Sequence, residues 1–174
     1  MRIGEIWFSP IFFEVYVMNF DYQLVKLSPL FYKNYNNSKY NQILTKSNRV
    51  YTCLLIDFYE DYFICIPYRT HMNRKNGFLF KGTKRSKNNN SGLDYEKLVV
   101  VKHSEYIDDS TAIIDNDEYR KTVKNINKIA CDVLKYVNTY VEHIKQIKIL
   151  SEKQYTKKYC YTTLKYFHSE LGIE

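Results

Sequence analysis

The apolar residues of this 174-residue chain change their spacing halfway along it. In the first half, strand formers fill short runs, such as Val50 to Asp57, Tyr62 to Ile66 and Lys97 to Lys102. In the second half, apolar residues recur every three or four positions from Tyr119 to Ile144, which predicts one long helix. Strands followed by helices predict an α+β fold, with a mostly antiparallel sheet backed by helices. No linker or repeat divides the chain, so we expect one domain over residues 1–174.

Proline and glycine predict where the elements of the first half end. Pro67 cannot donate a ladder hydrogen bond, so we expect its strand to stop there. Phe58 to Asp61 suits a hairpin turn. Gly77 to Lys81 is a candidate third strand, and the basic, Asn-rich run from Gly82 to Ser91 is expected to be a mobile loop. Asp21 to Tyr40 suggests a short helix and a loop.

The helical half has a regular apolar stripe and plausible ends. Asp115 is expected to cap the long helix, with Glu118 three residues later. The spacing also fits a coiled-coil seam, but one helix lying across a sheet is the commoner arrangement and the one we favour. A last helix is predicted from about Glu152 to Gly172. The apolar segment of residues 1–17 is interpreted as an extension or an extra strand.

Charge and cysteine content limit the possible partners and compartment. The net charge of +7 favours polyanionic partners, with nucleic acid first and an anionic membrane surface second. The 18 tyrosines and 10 phenylalanines can stack on unpaired bases, although such rings more often fill a core. The cysteines form no Cys-x-x-Cys pair and are interpreted as reduced thiols of a cytoplasmic protein, without a disulfide or a zinc site. No run of apolar residues is long enough to span a bilayer.

Polar and basic side chains follow the second strand run directly. After Pro67 the chain reads Tyr68-Arg69-Thr70-His71, and Arg74 and Lys75 come shortly after. A strand end that delivers a hydroxyl, an imidazole and several cations to one place suits chemistry on a phosphate. The alternative is a turn threonine beside a surface histidine.

Two further groups of residues are candidates for the same site. One is a basic run after the third strand, although such a run of charges is more often a solvated loop. The other precedes or opens the first strand of the hairpin, where the tyrosine suits a packed sheet position equally well. The first group is Lys81, Lys84, Arg85 and Lys87, and the second is Lys46, Arg49 and Tyr51.

The sequence lacks the patterns of metal-dependent and nucleotide-hydrolysing enzymes. Its acidic residues are scattered, its four histidines do not stand at ligand spacing, and it has no Gly-rich phosphate loop. We therefore expect no metal and no cofactor. RNA carries its own nucleophile, the 2′-hydroxyl, so Lys, Arg, His, Tyr and Thr side chains suffice to cleave it by acid–base catalysis.

Several short motifs follow one another from about Phe31 to the C-terminus. They are Phe31-Tyr32, Asn48-Arg49-Val50-Tyr51, Ile66-Pro67-Tyr68-Arg69-Thr70-His71, Ser91-Gly92-Leu93-Asp94-Tyr95-Glu96-Lys97 and Tyr161-Thr162-Thr163-Leu164-Lys165-Tyr166-Phe167-His168. Their order and spacing resemble those of the endoribonuclease toxins of type III toxin–antitoxin systems, the ToxN/AbiQ family, and most of all its CptN/TenpN-like branch.

The resemblance implies a compact, strongly curved α+β ribonuclease. Such an enzyme cleaves single-stranded RNA at preferred sequences without metal, leaves a 2′,3′-cyclic phosphate, and is inhibited by a structured repeat RNA in a closed complex. The family's active-site hydroxyl corresponds to Thr70. The family's lysine in this loop is replaced by Met72, so the general acid or base falls to His71, or to Lys84 or Arg49.

These observations predict a metal-independent endoribonuclease toxin. Thr70 and His71 would act at the scissile phosphate, while Arg69, Arg49 and Lys84 would stabilise the phosphorane. The other predicted residues would bind RNA. A non-catalytic RNA-binding or ribosome-associated protein is the main alternative, and a helical adaptor using residues 117–150 ranks below both.

Overall fold

The computed structural model describes residues 22–46, 48–56, 62–72, 76–108 and 110–173. These residues form an α+β domain with one open sheet of seven strands, so the predicted fold class is confirmed. The strands are β1 (Tyr22–Leu27), β2 (Tyr51–Ile56), β3 (Tyr62–Arg69), β4 (Gly77–Leu79), β5 (Gly92–Asp94), β6 (Val99–Val101) and β7 (Ile107–Asp108). The sheet order is β4-β5-β3-β2-β1-β7, β6 also pairs with β3, and every pair is antiparallel.

Five α-helices accompany the sheet in the described ranges. They are α1 (Pro29–Asn34), α2 (Lys84–Asn89), α3 (Asn116–Lys124), α4 (Ile126–Ile144) and α5 (Glu152–Tyr159). Short 3₁₀ turns span Tyr95–Lys97, Ser104–Tyr106 and Leu164–Tyr166. Among these helices, none combines the length and the apolar character that a bilayer crossing requires.

The helix α4 supplies much of the core. Its stripe residues Ala130, Val133, Val137 and Tyr140 are buried in one cluster with the valines of β6 and with residues of β3. The stripe is therefore used within the domain, as predicted for a helix packed on a sheet. It is not left exposed as a coiled-coil seam would be.

The predicted single helix from Tyr119 to Ile144 is wrong at Asn125. This residue ends α3, and its side chain donates a 2.7 Å hydrogen bond to the carbonyl of Lys121. The chain therefore forms two helices, α3 and α4, and the predicted stripe does not continue into α3. Its residues Tyr119 and Val123 are 41% and 39% exposed. The buried side chains of α3 are instead Glu118 and Thr122. Asp115 is the N-cap residue as predicted, although its side chain makes no capping bond.

The strand β3 continues through Pro67 to Arg69, which corrects the predicted strand end. The amide of Tyr68 donates to the carbonyl of Val50, the residue just before β2, and successive amides of a strand point to opposite sides. The nitrogen of Pro67 therefore faces the other side of β3, where its neighbour changes from β6 to β5. At this gap in the pairing a missing donor costs little.

The basic run predicted to be a mobile loop contains the helix α2 instead. The hydroxyl of Thr83 caps it by accepting from the amide of Ser86, and Asn90 ends it in the left-handed conformation with φ of 46°. Both are ordinary helix-end signals. The helix has only six residues, and its Lys and Asn residues show no apolar periodicity, so the sequence does not reveal its boundaries.

Two further predictions are wrong and two lie outside the described residues. The segment predicted as a short helix and a loop does contain the helix α1, but it begins with the strand β1, which was not predicted. The predicted C-terminal helix ends at Tyr159 rather than Gly172. Cys53 and Cys65 face each other across β2 and β3 and form a disulfide, so the expectation of reduced thiols fails for them. The predicted hairpin turn and the N-terminal 1–17 segment lie outside the described residues, although β2 and β3 pair as a hairpin requires.

Candidate functional site

A cavity of about 320 Å³ opens where β3 ends, and we call it the cationic pocket. It gathers residues from the segment before β2, from the end of β3 and the turn after it, from α2, and from the segment before α3. Four of its side chains are cationic, and six were predicted from the sequence. The lining residues are Lys46, Asn48, Arg49, Val50, Tyr68, Arg69, Thr70, Arg85, Ile113 and Ile114.

Antiparallel pairing of β2 with β3 explains why Arg49 meets the end of β3. Tyr51 pairs with Pro67, so the residues just before β2 lie beside those after the proline. Arg49 Nη1 donates a 3.1 Å hydrogen bond to the carbonyl of Tyr68. Burial lowers the pKa of Arg49, and the nearby charge of Arg69 lowers it further, while the phenol of Tyr51 opposes the change. The guanidinium groups of Arg49 and Arg69 thus line the same pocket.

A buried carboxylate holds Arg69 in place. Arg69 Nη1 lies 2.6 Å from Asp94 Oδ2, and Asp94 is only 4% exposed. The other oxygen of Asp94 accepts the amide of Glu96 at 3.0 Å. Because both carboxylate oxygens are engaged, the guanidinium of Arg69 is fixed at the rim of the pocket.

A second buried carboxylate, Glu118, holds Arg85. Arg85 Nη2 lies 2.9 Å from Glu118 Oε2, and Ser91 Oγ donates to Glu118 Oε1. Glu118 has no exposed surface, and this burial raises its pKa, although the hydrogen bond from Ser91 and the charge of Arg85 act in the opposite direction. Sequence reasoning missed this role and treated Glu118 as a capping residue. The available signal was Thr122, one helical turn later, because two polar residues four positions apart share a helix face.

Tyr68 supports the pocket from inside the core. Its ring is 4% exposed and stacks on Phe80, and its hydroxyl lies between Thr52 and Thr122 at 2.9 and 2.8 Å. Burial raises the pKa of Tyr68 to about 12. Tyr51 is also in the core with no exposed surface, and burial raises the pKa of its phenol well above the ordinary value. Neither ring is available for stacking on a base in this conformation.

Thr70 and His71 form the turn that follows β3. Thr70 lines the cationic pocket, and its hydroxyl lies 3.2 Å from His71 Nδ1. His71 is exposed and has a left-handed backbone with φ of 58°, which a residue other than glycine adopts only when its surroundings enforce it. The amides of His71 and Met72 bond to the carbonyls of Asn89 and Asn90, so the end of α2 fixes this turn.

His71 faces a different cavity from Thr70. This cavity has a volume of about 290 Å³ and shares Arg69 with the cationic pocket, and we call it the adjacent cavity. The turn of Thr70 and His71 therefore separates the two. The adjacent cavity is lined by Arg69, His71, Met72, Asp94, Glu96, Lys97 and Tyr161.

The remaining predicted residues lie elsewhere. Lys81, Lys84 and Lys87 are exposed on α2 and the turn before it, and none lines either cavity. The amide of Lys84, rather than its ammonium group, bonds to Asp117 at 2.8 Å. Arg74 and Lys75 fall outside the described residues. Within the described ranges, no group of three or more His, Cys, Asp and Glu side chains is placed to hold a metal ion.

At this site, four cationic side chains lie around the hydroxyl of Thr70, which is in contact with the imidazole of His71. Such a cluster attracts phosphate oxygens and can stabilise charge that develops on them. Comparison of the chain with protein-family models, with curated proteins and with solved structures found no match.

Proposed function

We propose that this protein is a metal-independent endoribonuclease that cleaves single-stranded RNA. The observation that carries the proposal is the convergence of Lys46, Arg49, Arg69 and Arg85 around Thr70, whose hydroxyl contacts His71 at 3.2 Å. A pocket with this charge takes a phosphodiester. A hydroxyl and an imidazole at its edge supply the polar groups that RNA cleavage requires.

The proposed reaction is an internal transesterification. The 2′-oxygen attacks the adjacent phosphorus and loses its proton to a general base, while the bond from phosphorus to the 5′-oxygen breaks and a general acid protonates that oxygen. The products are a 2′,3′-cyclic phosphate and a 5′-hydroxyl. His71 acts as the acid or the base, and Thr70 orients the phosphate. Arg49, Arg69 and Arg85 stabilise the phosphorane, with Arg85 taking the role that the sequence suggested for Lys84.

The biological setting of the proposal rests on the family resemblance. In it, the protein is a bacterial cytoplasmic toxin of a type III toxin–antitoxin system, and a repeated structured RNA holds it inactive in a closed complex. The net charge of +7 suits such an RNA partner. The toxin would inhibit growth and abort phage infection when the RNA is lost.

A non-catalytic RNA-binding protein is a second candidate, and one observation favours it. His71 faces the adjacent cavity, whereas Thr70 and the cations line the cationic pocket. A module that only binds RNA needs no imidazole beside the phosphate.

Alanine variants of Thr70 and His71 separate the two candidates. If either side chain acts in catalysis, its removal should lower the cleavage rate by on the order of a hundredfold or more and relieve growth inhibition, with little change in RNA affinity. His103 is an exposed histidine that lines neither cavity, so His103→Ala is the matched control. Full cleavage by both Thr70→Ala and His71→Ala would refute the assigned site, and RNA binding without cleavage by the wild type would favour the binding module.

A further inference from the structure

The adjacent cavity differs from the cationic pocket in charge. Two of its side chains are carboxylates, Asp94 and Glu96, and they offset its two cations, Lys97 and the shared Arg69. Carboxylates repel a phosphate, so the cavity is unsuited to a second backbone group although it shares Arg69 with the first. Its mixture of acceptors and donors suits a neutral polar ligand.

The polar side chains of this cavity are held rigidly. Glu96 Oε1 accepts a 2.8 Å hydrogen bond from the side-chain nitrogen Nδ2 of Asn76. Lys97 Nζ donates to the carbonyl of Tyr161 at 2.9 Å and also to Gln42. Asp94, Glu96 and Lys97 are 4%, 4% and 8% exposed. A ligand therefore meets a floor whose donors and acceptors are already oriented, which reduces the entropy lost on binding.

Tyr161 forms an exposed aromatic wall of the same cavity. The residue is 45% exposed and lines both this cavity and a third one. Lys97 Nζ lies 6.0 Å from the centre of the ring. An accessible ring beside fixed polar groups is the arrangement by which proteins stack and read an unpaired base.

We propose that the adjacent cavity is a nucleobase subsite, which takes the base next to the phosphate held in the cationic pocket. The base stacks on Tyr161, and its polar edge faces Glu96 and Lys97. This inference rests on the proposed binding of single-stranded RNA. It assigns to the adjacent cavity the recognition of the base that gives the protein its preference for particular RNA sequences. The bound RNA crosses the turn of Thr70 and His71, with its phosphate in the cationic pocket on one side and the neighbouring base in the adjacent cavity on the other.

A double-mutant cycle, which combines a substitution in the protein with the removal of one base from the RNA, tests the subsite. The probes are a single-stranded RNA decamer of mixed sequence and derivatives that carry an abasic ribose at each position in turn. Tyr161→Ala should weaken binding of the intact decamer by on the order of ten- to a hundredfold, which is the usual contribution of base stacking. It should have no further effect on one of the abasic RNAs, because that RNA already lacks the stacked base.

Two variants control for the loss of a ring. Tyr161→Phe keeps the stacking face and should bind like the wild type. Tyr119→Ala removes a similarly exposed tyrosine, 41% exposed, that lines neither cavity, and should also bind like the wild type. Thermal unfolding confirms that each variant is folded, which is expected for exposed positions.

The outcomes for the subsite and for the enzyme can be distinguished. Equal weakening of the intact and all abasic RNAs by Tyr161→Ala, or no weakening at all, would overturn the subsite even if the wild type cleaves RNA. If the wild type binds but does not cleave, the endoribonuclease proposal fails while the affinity cycle still decides the subsite. Failure to bind any of the RNAs would remove both.

Discussion

Replacing Glu118 by glutamine tests whether this buried carboxylate serves the pocket or the stability of the fold. Glutamine has nearly the same shape, and its amide can offer an oxygen to Arg85 and an N–H to the hydroxyl of Ser91. The substitution therefore removes one charge from a fully buried position and preserves the packing around it.

We expect the free energy of unfolding of Glu118→Gln at pH 7 to stay within about 1 kcal/mol of the wild type, or to exceed it. The reason is that desolvation of a buried carboxylate offsets its attraction to the partner cation. Arg85→Ala is the contrasting change, because it leaves the carboxylate buried without a cation and should cost about 3 kcal/mol or more. Substitutions of the two partners of this ion pair are thus expected to have very different effects on the free energy of unfolding.

The pH dependence fixes the sign of this effect. Burial raises the pKa of Glu118 in the folded protein above the unfolded value of about 4.3. A carboxyl group with a raised pKa contributes stability below the unfolded pKa and loses that contribution as the pH rises through the folded pKa. Glutamine does not titrate, so the stability of Glu118→Gln relative to the wild type should increase between pH 4 and pH 7.

Urea unfolding at pH 4, 5.5 and 7 measures this difference, and RNA affinity is measured on the same proteins. We expect roughly tenfold weaker RNA binding by Glu118→Gln at pH 7, because a neutral acceptor holds Arg85 less firmly than a carboxylate. A variant that loses stability relative to the wild type as the pH rises would refute the reasoning. So would a variant with unchanged RNA affinity.

Two other predictions concern the charge of the pocket and the disulfide. Lys46→Gln should reduce the slope of log affinity against log salt by about 0.7, the value for one phosphate contact on single-stranded RNA. Lys87 is also exposed but lies outside the pocket, so Lys87→Gln should leave the slope unchanged. An unchanged slope for Lys46→Gln would place the RNA elsewhere. Reduction of the Cys53–Cys65 disulfide, which closes a loop with a sequence separation of 12, should lower the free energy of unfolding by about 3 kcal/mol. Equal urea midpoints for the oxidised and fully reduced protein would contradict this.

The sequence predicted the pairing of β2 with β3, the valine strand β6 and the apolar stripe of the core helix, because each follows from a local pattern of apolar residues. The strands β1, β5 and β7 were not predicted. The valines of β6 and the α4 stripe from Ala130 to Tyr140 are buried as expected. The break at Asn125 was missed because the apolar spacing continues across it. Only the three-dimensional neighbours Arg85 and Ser91 explain why α3 buries Glu118 and leaves Tyr119 exposed.

The candidate site was predicted in part for a similar reason. Arg49, Arg69 and Thr70 meet because strand pairing brings together the ends of β2 and β3, and that pairing is readable from the sequence. Lys84 and Arg85 are adjacent in the chain and equally basic, so sequence alone does not choose between them. The orientation of α2, set by Thr83 and the pairing of Arg85 with Glu118, directs Arg85 into the pocket.

The chemistry of the RNA ends tests the central claim most directly. Purified protein is incubated with a single-stranded RNA in excess EDTA, and the intact masses of the fragments are measured. The proposal predicts cleavage under these conditions, with a 2′,3′-cyclic phosphate on one fragment and a 5′-hydroxyl on the other, and its loss in Thr70→Ala. Absence of cleavage, or cleavage that requires added divalent metal and leaves a 3′-hydroxyl and a 5′-phosphate, would contradict it.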